Sequence, residues 1–185
     1  QLRYLRPDLE IIGIRGNVDT RLRKLQSGQF HATMLAKAGL KRLKRDNVIT
    51  ESLPPLKFLP APGQGAIALE VRDNDKLSKQ LAASIDNLET RIALEAERAL
   101  LRTLEAGCSS SVGGWARMES KRLVLSAAVL DLEGTKKITA TESANGTSSA
   151  RCAELGRICA EKLLEQGAEE ILQESMKTDE PSNEN

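Results

Sequence analysis

The chain changes its apolar rhythm once, near its middle. From the cap at Asn87, Leu88, Ile92, Ala96, Ala99 and Thr103 recur at helical spacing, and Leu100 and Leu104 widen the stripe. Beyond Gly114 the period becomes that of strands: Val112 to Arg117, Arg122 to Leu130 and Lys136 to Thr141. Glu119-Ser120-Lys121 and Glu133-Gly134-Thr135 separate them as hairpin turns. Ser148-Ser149 then opens a helix with Cys152, Leu155, Cys159 and Leu163 on one side, closed at Gly167, and Glu169 to Gln173 forms a last short helix. Three antiparallel strands with helices on one face make a small α+β domain. The polar tail, Thr178 to Asn185, is expected to be disordered.

A cysteine sits where the rhythm changes, in Glu105-Ala106-Gly107-Cys108-Ser109-Ser110-Ser111-Val112-Gly113-Gly114. The long helix is expected to end at Gly107, because glycine accepts the left-handed conformation that stops a helix. Two readings of Cys108 stay open: a small buried hydrophobe beside the helix end, or a thiol presented for covalent attachment. The negative end of a helix dipole disfavours a thiolate there, which argues against an activated catalytic thiol. It does not argue against a thiol that reacts once with a strong electrophile.

The first sixty residues have another rhythm. Leu9 to Ile14 and Phe30 to Leu35 are short apolar runs that predict buried strands, with helices over Val18 to Leu25 and Ala36 to Arg45. This β-α-β-α order is that of a layered α/β lobe. Arg15 ends a strand, Gly16 lets backbone approach a ligand, and Asn17 caps the next helix so that its free N–H groups point the same way. Arg21, four residues past the cap, rises from the same face. Guanidinium groups bind carboxylates bidentately, so these residues form a candidate anion site. An ordinary helix N-terminus with two solvated arginines explains them equally well, and Asp19 is placed to neutralise Arg15 or Arg23.

Lys37, Lys41, Arg42, Lys44 and Arg45 form the one dense basic cluster. With aromatics at only 2%, it reads as a solvated helix face rather than a nucleic-acid patch, and no nucleic-acid partner is expected. Arg42, beside Gly39-Leu40, lies close to where the helix leaves its strand. Pro54-Pro55 then breaks the chain before Leu59-Pro60-Ala61-Pro62-Gly63-Gln64-Gly65. Its Gly-x-Gly is followed by Ala66 to Val71, which reads as a strand, where a phosphate loop requires a helix. The segment is an interdomain crossover, and a short helix, Asp75 to Ser84, follows it.

Basic and acidic residues nearly balance, 27 against 26, so no overall field draws the chain to an anionic surface. The apolar runs are short, no membrane partner is expected, and three cysteines without a CxxC pair suit a reducing cytoplasm. Cys152 and Cys159, seven apart on one helix face, read as core positions, the single His31 as structural, and no metal site is expected. The first residue is Gln1, and Leu2-Arg3-Tyr4-Leu5 before Arg6-Pro7-Asp8 is already a helix end. The chain is therefore expected to be the C-terminal part of something longer.

Five stretches in register resemble the porphobilinogen deaminase (hydroxymethylbilane synthase) family. They are Arg15-Gly16-Asn17-Val18-Asp19-Thr20-Arg21-Leu22, Ala38-Gly39-Leu40-Lys41-Arg42-Leu43, Leu59-Pro60-Ala61-Pro62-Gly63-Gln64-Gly65-Ala66, Glu97-Arg98-Ala99 and Gly107-Cys108. The resemblance implies a two-lobed, periplasmic-binding-protein-like α/β fold plus a third domain. Residues 1–59 would be the later part of domain 2, 60–86 a crossover and returning segment of domain 1, and 87–177 domain 3. It also implies a transferase that polymerises porphobilinogen into the linear tetrapyrrole hydroxymethylbilane, releasing ammonia at each addition. Cys108 matches the cysteine that carries the dipyrromethane cofactor through a thioether. Arg15, Arg21 and Arg42 match carboxylate-binding arginines for that cofactor and for the growing pyrrole chain, and Asn17, Gly39 and Gln64 match substrate-binding positions. Loss of ammonia leaves an azafulvene-like electrophile that would capture even a poorly ionised thiol.

The chain departs from the family in two places. Ser109-Ser110-Ser111 stands where the family usually has a proline shortly after the cysteine. Most of the first domain is missing, and with it the family's acid/base aspartate, so no catalytic residue is assigned here. The missing N-terminal domain or chain is an expected partner. The competing reading is a non-catalytic anion-binding lobe related to solute-binding or regulator domains, which shares the β-α rhythm but has no use for Cys108. A third is a non-catalytic remnant kept for partner contacts.

Overall fold

The computed structural model describes residues 1–107 and 110–178, without the side chains of 176–178. The disordered tail is expected from Thr178 to Asn185; Thr178 instead ends the last helix, and residues 179–185 lie outside the described residues. In chain order the elements are α1 (Leu2–Leu5), α2 (Val18–Gln26), α3 (Lys37–Arg42), a 3-10 turn (Asp46–Val48), α4 (Lys76–Ser84) and α5 (Leu88–Thr103). They continue with β1 (Val112–Glu119), β2 (Arg122–Leu130), β3 (Lys137–Asn145), α6 (Ser149–Glu165) and α7 (Ala168–Thr178). They divide into two compact units: Asp8–Pro54, and Gln1–Pro7 together with the chain from Pro55 onward.

In the smaller unit α2 forms where the cap is expected: the Asn17 side chain accepts from the Thr20 amide at 2.9 Å. The basic helix is shorter than its sequence suggests. It stops at Arg42, and Lys44 takes a left-handed backbone, φ +55°, before the 3-10 turn. The strands expected over Leu9 to Ile14 and Phe30 to Leu35 are not formed; both segments lie outside any ladder. The same correction applies to Ala66 to Val71 in the larger unit. A strand exists only against a partner, and among the described residues none pairs with these segments. Their apolar side chains stay in solvent: Ile12 is 58% exposed, Leu69 57% and Ile67 89%. Leu40 is the only buried residue of 8–54.

The larger unit has the expected α+β core. Its antiparallel sheet runs β1-β2-β3, with Val112 opposite Val129 and Ala127 opposite Ala140. Ser120 and Lys121, both at positive φ, make the two-residue turn between β1 and β2. One sheet face carries Ala116, Leu123, Leu125 and Val129, and α5, α6 and α7 pack on it. Cys152 and Cys159 are fully buried in that core, as their spacing predicts. At Gly156 the two long helices meet so closely that an added Cβ would lie 2.2 Å from the Ala96 carbonyl oxygen. On the opposite face Arg117 stacks 4.6 Å above the Trp115 ring.

The end of α5 departs from the expectation that Gly107 stops it. The left-handed residue is Glu105, φ +50°, with Leu104 as the last helical position. The Glu105 amide donates to the Arg102 carbonyl and the Ala106 amide to the Leu101 carbonyl, the bond pair of a Schellman ending. The carbonyls near the helix end are thus satisfied before the chain reaches Gly107.

Candidate functional site

The residues singled out by sequence fall in both units. Arg15, Asn17, Arg21, Gly39 and Arg42 belong to the smaller one, and Gln64 to the larger. Cys108, the proposed attachment point, lies outside the described residues together with Ser109.

At the start of α2 the backbone is made for a close approach. Gly16 has φ +120°, and a Cβ there would lie 2.8 Å from the Thr20 methyl, so no other residue fits comfortably. Arg21 folds back along the helix, its Nε donating to the Gly16 carbonyl at 2.9 Å. This fixes the half-buried guanidinium beside the helix N-terminus and leaves its terminal nitrogens for another acceptor. Lys24 reaches the Arg15 carbonyl at 3.5 Å, and Arg23 donates to the Thr20 hydroxyl. Asp19 pairs with Arg45 at 3.4 Å rather than with Arg15 or Arg23. Among the described residues no carboxylate lies within ion-pair distance of Arg15, Arg21 or Arg42. That leaves three guanidinium charges available to an anion.

Gly39 lies within α3 with open space where a Cβ would go, and Arg42 is the last, exposed residue of that helix. In the larger unit Gln64 closes a tight loop. Its amide donates to the Ala61 carbonyl at 3.0 Å and its side-chain oxygen accepts from the Ala61 amide at 3.3 Å. Among the described residues its side-chain nitrogen makes no hydrogen bond, so Gln64 offers a ligand a donor.

The crossover around Gln64 is docked on the edge of β1. The Gly114 amide donates to the Pro60 carbonyl at 2.9 Å. Gln1 grips Leu59 from the other side, donating to its carbonyl at 2.7 Å and accepting from its amide at 2.9 Å. Gly113 and Gly114 allow this: Cβ atoms there would lie 2.8 Å from Leu59 Cβ and 3.0 Å from Pro62. Sequence reading singled out Glu97 only as part of Glu97-Arg98-Ala99 and gave it no role in this assembly. It is 93% buried, and its carboxylate accepts the Gly63 amide at 2.6 Å and the Ala116 amide at 2.8 Å. A signal was present, since Glu97 falls on the apolar face of α5, four residues after Ala93 and seven before Leu104. Burial raises its carboxyl above the usual range, against the pull of the two amides.

Near the unassigned thiol, Gly107 and Ser110 are joined twice. The Gly107 amide donates to the Ser110 hydroxyl at 3.0 Å, and the Ser110 amide to the Gly107 carbonyl at 3.1 Å. Here a serine of the triplet has a definite task. Burial pushes the Cys159 thiol up to about 12 and raises Cys152 as well, so neither is a nucleophile. Among the described residues no group of His, Cys, Asp and Glu could hold a metal, and no helix is long and apolar enough to cross a membrane.

Two family models match the chain. Residues 1–80 match the one described as porphobilinogen deaminase, dipyromethane cofactor binding domain, and residues 92–165 the one described as porphobilinogen deaminase, C-terminal domain. Curated relatives carry the name porphobilinogen deaminase. The Syntrophobacter fumaroxidans protein is 45% identical over 174 residues, which cover 94% of this chain and 55% of that protein. The Desulforudis audaxviator protein is 46% identical over 172 residues, covering 93% and 55%. The Chlorobium phaeovibrioides protein is 43% identical over 179 residues, covering 96% and 57%. The chain spans about half the length of these relatives.

Proposed function

Because this chain belongs to the porphobilinogen deaminase family, we propose that it is the C-terminal portion of a transferase that joins porphobilinogen units into hydroxymethylbilane. In each addition a carbon–nitrogen bond of the incoming aminomethyl group breaks and a carbon–carbon bond forms at a pyrrole ring carbon. The proton of that carbon leaves with the amine as ammonia. The observation that carries the reading is the set of uncompensated guanidinium groups, Arg15, Arg21 and Arg42. They lie in the unit that matches the cofactor-binding family model.

Acetate and propionate side chains on each pyrrole make the growing chain a polyanion, so fixed arginines suit both it and a dipyrromethane cofactor. When bound, that cofactor supplies a ring carbon from which the chain grows, and Cys108 would hold it through a thioether. Arg15 and Arg21 bind its carboxylates at the start of α2, where Asn17 orders the first helical turn and Gly16 admits close approach. In the same unit Arg42 adds a third cation and Gly39 leaves room for a ring, while Gln64 of the larger unit has a side-chain donor free for substrate.

The acid/base group and the rest of the first domain belong to the remaining part of the protein, and the lobes complete a two-lobed fold on joining it. The exposed apolar segments support this: Ile67 and Leu69, then Leu77, Leu81 and Ile85 along α4, have no partner of their own among the described residues. The reaction belongs to the cytoplasm, where buried free thiols such as Cys152 and Cys159 persist.

The test is to recombine this chain with a polypeptide carrying the remaining part and to measure the mass of the Cys108 peptide. A two-pyrrole adduct and release of ammonia from porphobilinogen are expected. An unmodified Cys108 peptide in an otherwise active preparation would sink the cofactor assignment.

A further inference from the structure

Glu97 joins three segments that are distant in sequence: α5, the crossover and β1. β1 is an edge strand, and its outward amides are covered one after another. Val112 donates to the Ser110 carbonyl, Gly114 to the Pro60 carbonyl and Ala116 to Glu97 Oε1. The second oxygen of Glu97 accepts from Gly63, whose left-handed backbone, φ +80°, turns the chain immediately before Gln64. A carboxylate is the one side chain of this reach that presents two acceptors to two separate amides. An apolar residue would leave both amides unpaired, and glutamine would leave one. Among the described residues no charged side chain pairs with Glu97: Arg98 and Arg102 of α5 make no ion pair with it, and Arg117 of β1 is held by Glu119.

We propose that Glu97 is a positioning residue for the reaction, fixing the crossover at Gly63 so that Gln64 presents its side-chain amide to the pyrrole substrate. This rests on the assignment of Gln64 above. The carboxylate touches no substrate and acts only through the loop it holds. Loss of the Gly63 bond leaves Gln64 with the bonds inside its own turn, and the crossover tied to β1 only upstream of the turn, through the Pro60 carbonyl.

The experiment is amide hydrogen exchange on the full chain, parent against Glu97→Gln, with α6 amides as a monitor of the whole domain. The Gly63 amide is expected to exchange at least tenfold faster in the variant while α6 is unchanged. Exchange at Gly63 that stays as slow as in the parent overturns the proposal. So does acceleration shared equally by α6, because Glu97 would then merely support the domain. Glu97→Asp, which keeps the charge but is one methylene short, should free Gly63 similarly; full protection in it is also contrary. In the recombined protein, Glu97→Gln should raise KM for porphobilinogen several-fold more than it lowers kcat, and should add nothing further in a Gln64→Ala background. Additive effects would separate Glu97 from Gln64 and defeat the claim. Absence of turnover in the parent protein would count against the transferase reading, and the exchange result would still decide the Gly63 anchor.

Discussion

Replacing Gly156 by alanine puts one methyl group into the tightest contact of the larger unit. Built on the existing backbone, that Cβ lies 2.2 Å from the Ala96 carbonyl oxygen, 2.6 Å from Ala99 Cβ and 2.8 Å from the Leu100 nitrogen. Carbon atoms rest at about 3.5 Å or more, so α5 and α6 must part by roughly 1 Å. Two of the three atoms are backbone, and no side-chain rotation relieves them. A gap of that size forfeits a quarter to a half of the dispersion energy of the contacts it opens, and overpacking of this kind costs about 1–3 kcal/mol. Contacts to backbone put the cost at the upper end, about 3 kcal/mol, and alanine recovers up to about 1 kcal/mol of helix propensity, which leaves a net loss of roughly 2 kcal/mol. The assay is urea unfolding followed by fluorescence of Trp115, the only tryptophan, which reports on this unit. The midpoint should fall by about 1 M. Gly39→Ala is the matched control, being helical with nothing within 4 Å, and should hold or slightly raise the stability read by circular dichroism. A Gly156→Ala protein as stable as the parent would refute the close-crossing argument.

Glu105→Gly relieves a left-handed residue at the end of α5 and should add up to about 1 kcal/mol of stability, read as a higher urea midpoint; an unchanged or lower midpoint contradicts the Schellman assignment. Asp131 caps the turn between β2 and β3. Burial pushes its carboxyl up, but bonds from Thr135, Lys136 and Gly134 outweigh this and hold it below the usual range. Its contribution is therefore complete above the unfolded value and lost as pH falls through the lower folded one. The stability gap between parent and Asp131→Ala should be constant near neutrality and close below about pH 4; a gap that widens in acid is the opposite sign. In the recombined protein, Arg15→Leu and Arg21→Leu should each slow pyrrole-chain elongation about tenfold or more with the fold intact by circular dichroism, since a charged hydrogen bond contributes roughly 1.5–3 kcal/mol. Unchanged turnover in both would refute the anion-site assignment.

What was legible in the sequence was what each segment settles locally or within its own unit. The caps at Asn17 and Asn87 formed because each side chain needs only an amide three residues on; Asp75, read as the first residue of its helix, caps it in the same way. The α+β core was legible because the stripes of α5 and α6 and the strand alternation of β1–β3 satisfy one another within one unit. Strands over Leu9 to Ile14, Phe30 to Leu35 and Ala66 to Val71 were over-read, because apolar composition predicts burial but a ladder needs a neighbour. Gly107 was over-read as well: glycine is the commonest left-handed stop, yet the helix closes at Glu105. In the proposed site, Asn17 was legible as a helix cap and the arginines as cations on the elements beside it. The pairing of Asp19 with Arg45 was not, since nothing in the sequence between these residues, 26 positions apart, fixes their approach. Glu97 was visible as part of Glu97-Arg98-Ala99 and as a charge on an apolar face, but its two amide partners, in the crossover and in β1, were not, since both lie far off in sequence.

The near-neutral total conceals a division that bears on the function. Residues 8–54 hold nine Lys and Arg against five Asp and Glu, and the rest of the chain eighteen against twenty-one. The unit with the surplus of positive charge is also the one with a single buried residue, Leu40, and with apolar runs left in solvent. These two properties reinforce one another. A small unit with little core gains little from burial, and like charges crowded onto it repel. Both deficits are met by what the proposed reaction brings: a partner polypeptide to pair the extended segments, and a polyanionic ligand to neutralise the guanidinium groups. Each binds the folded unit and not the unfolded one, so each stabilises it by mass action, and binding of either lowers the ordering cost of the other. In the larger unit the α+β core needs no such help, because Glu97, Gln1 and the buried faces of α5 and α6 already hold it and the crossover in place; the stretch from Ile67 to Ile85, with its apolar side chains exposed, shares the deficit of the smaller unit.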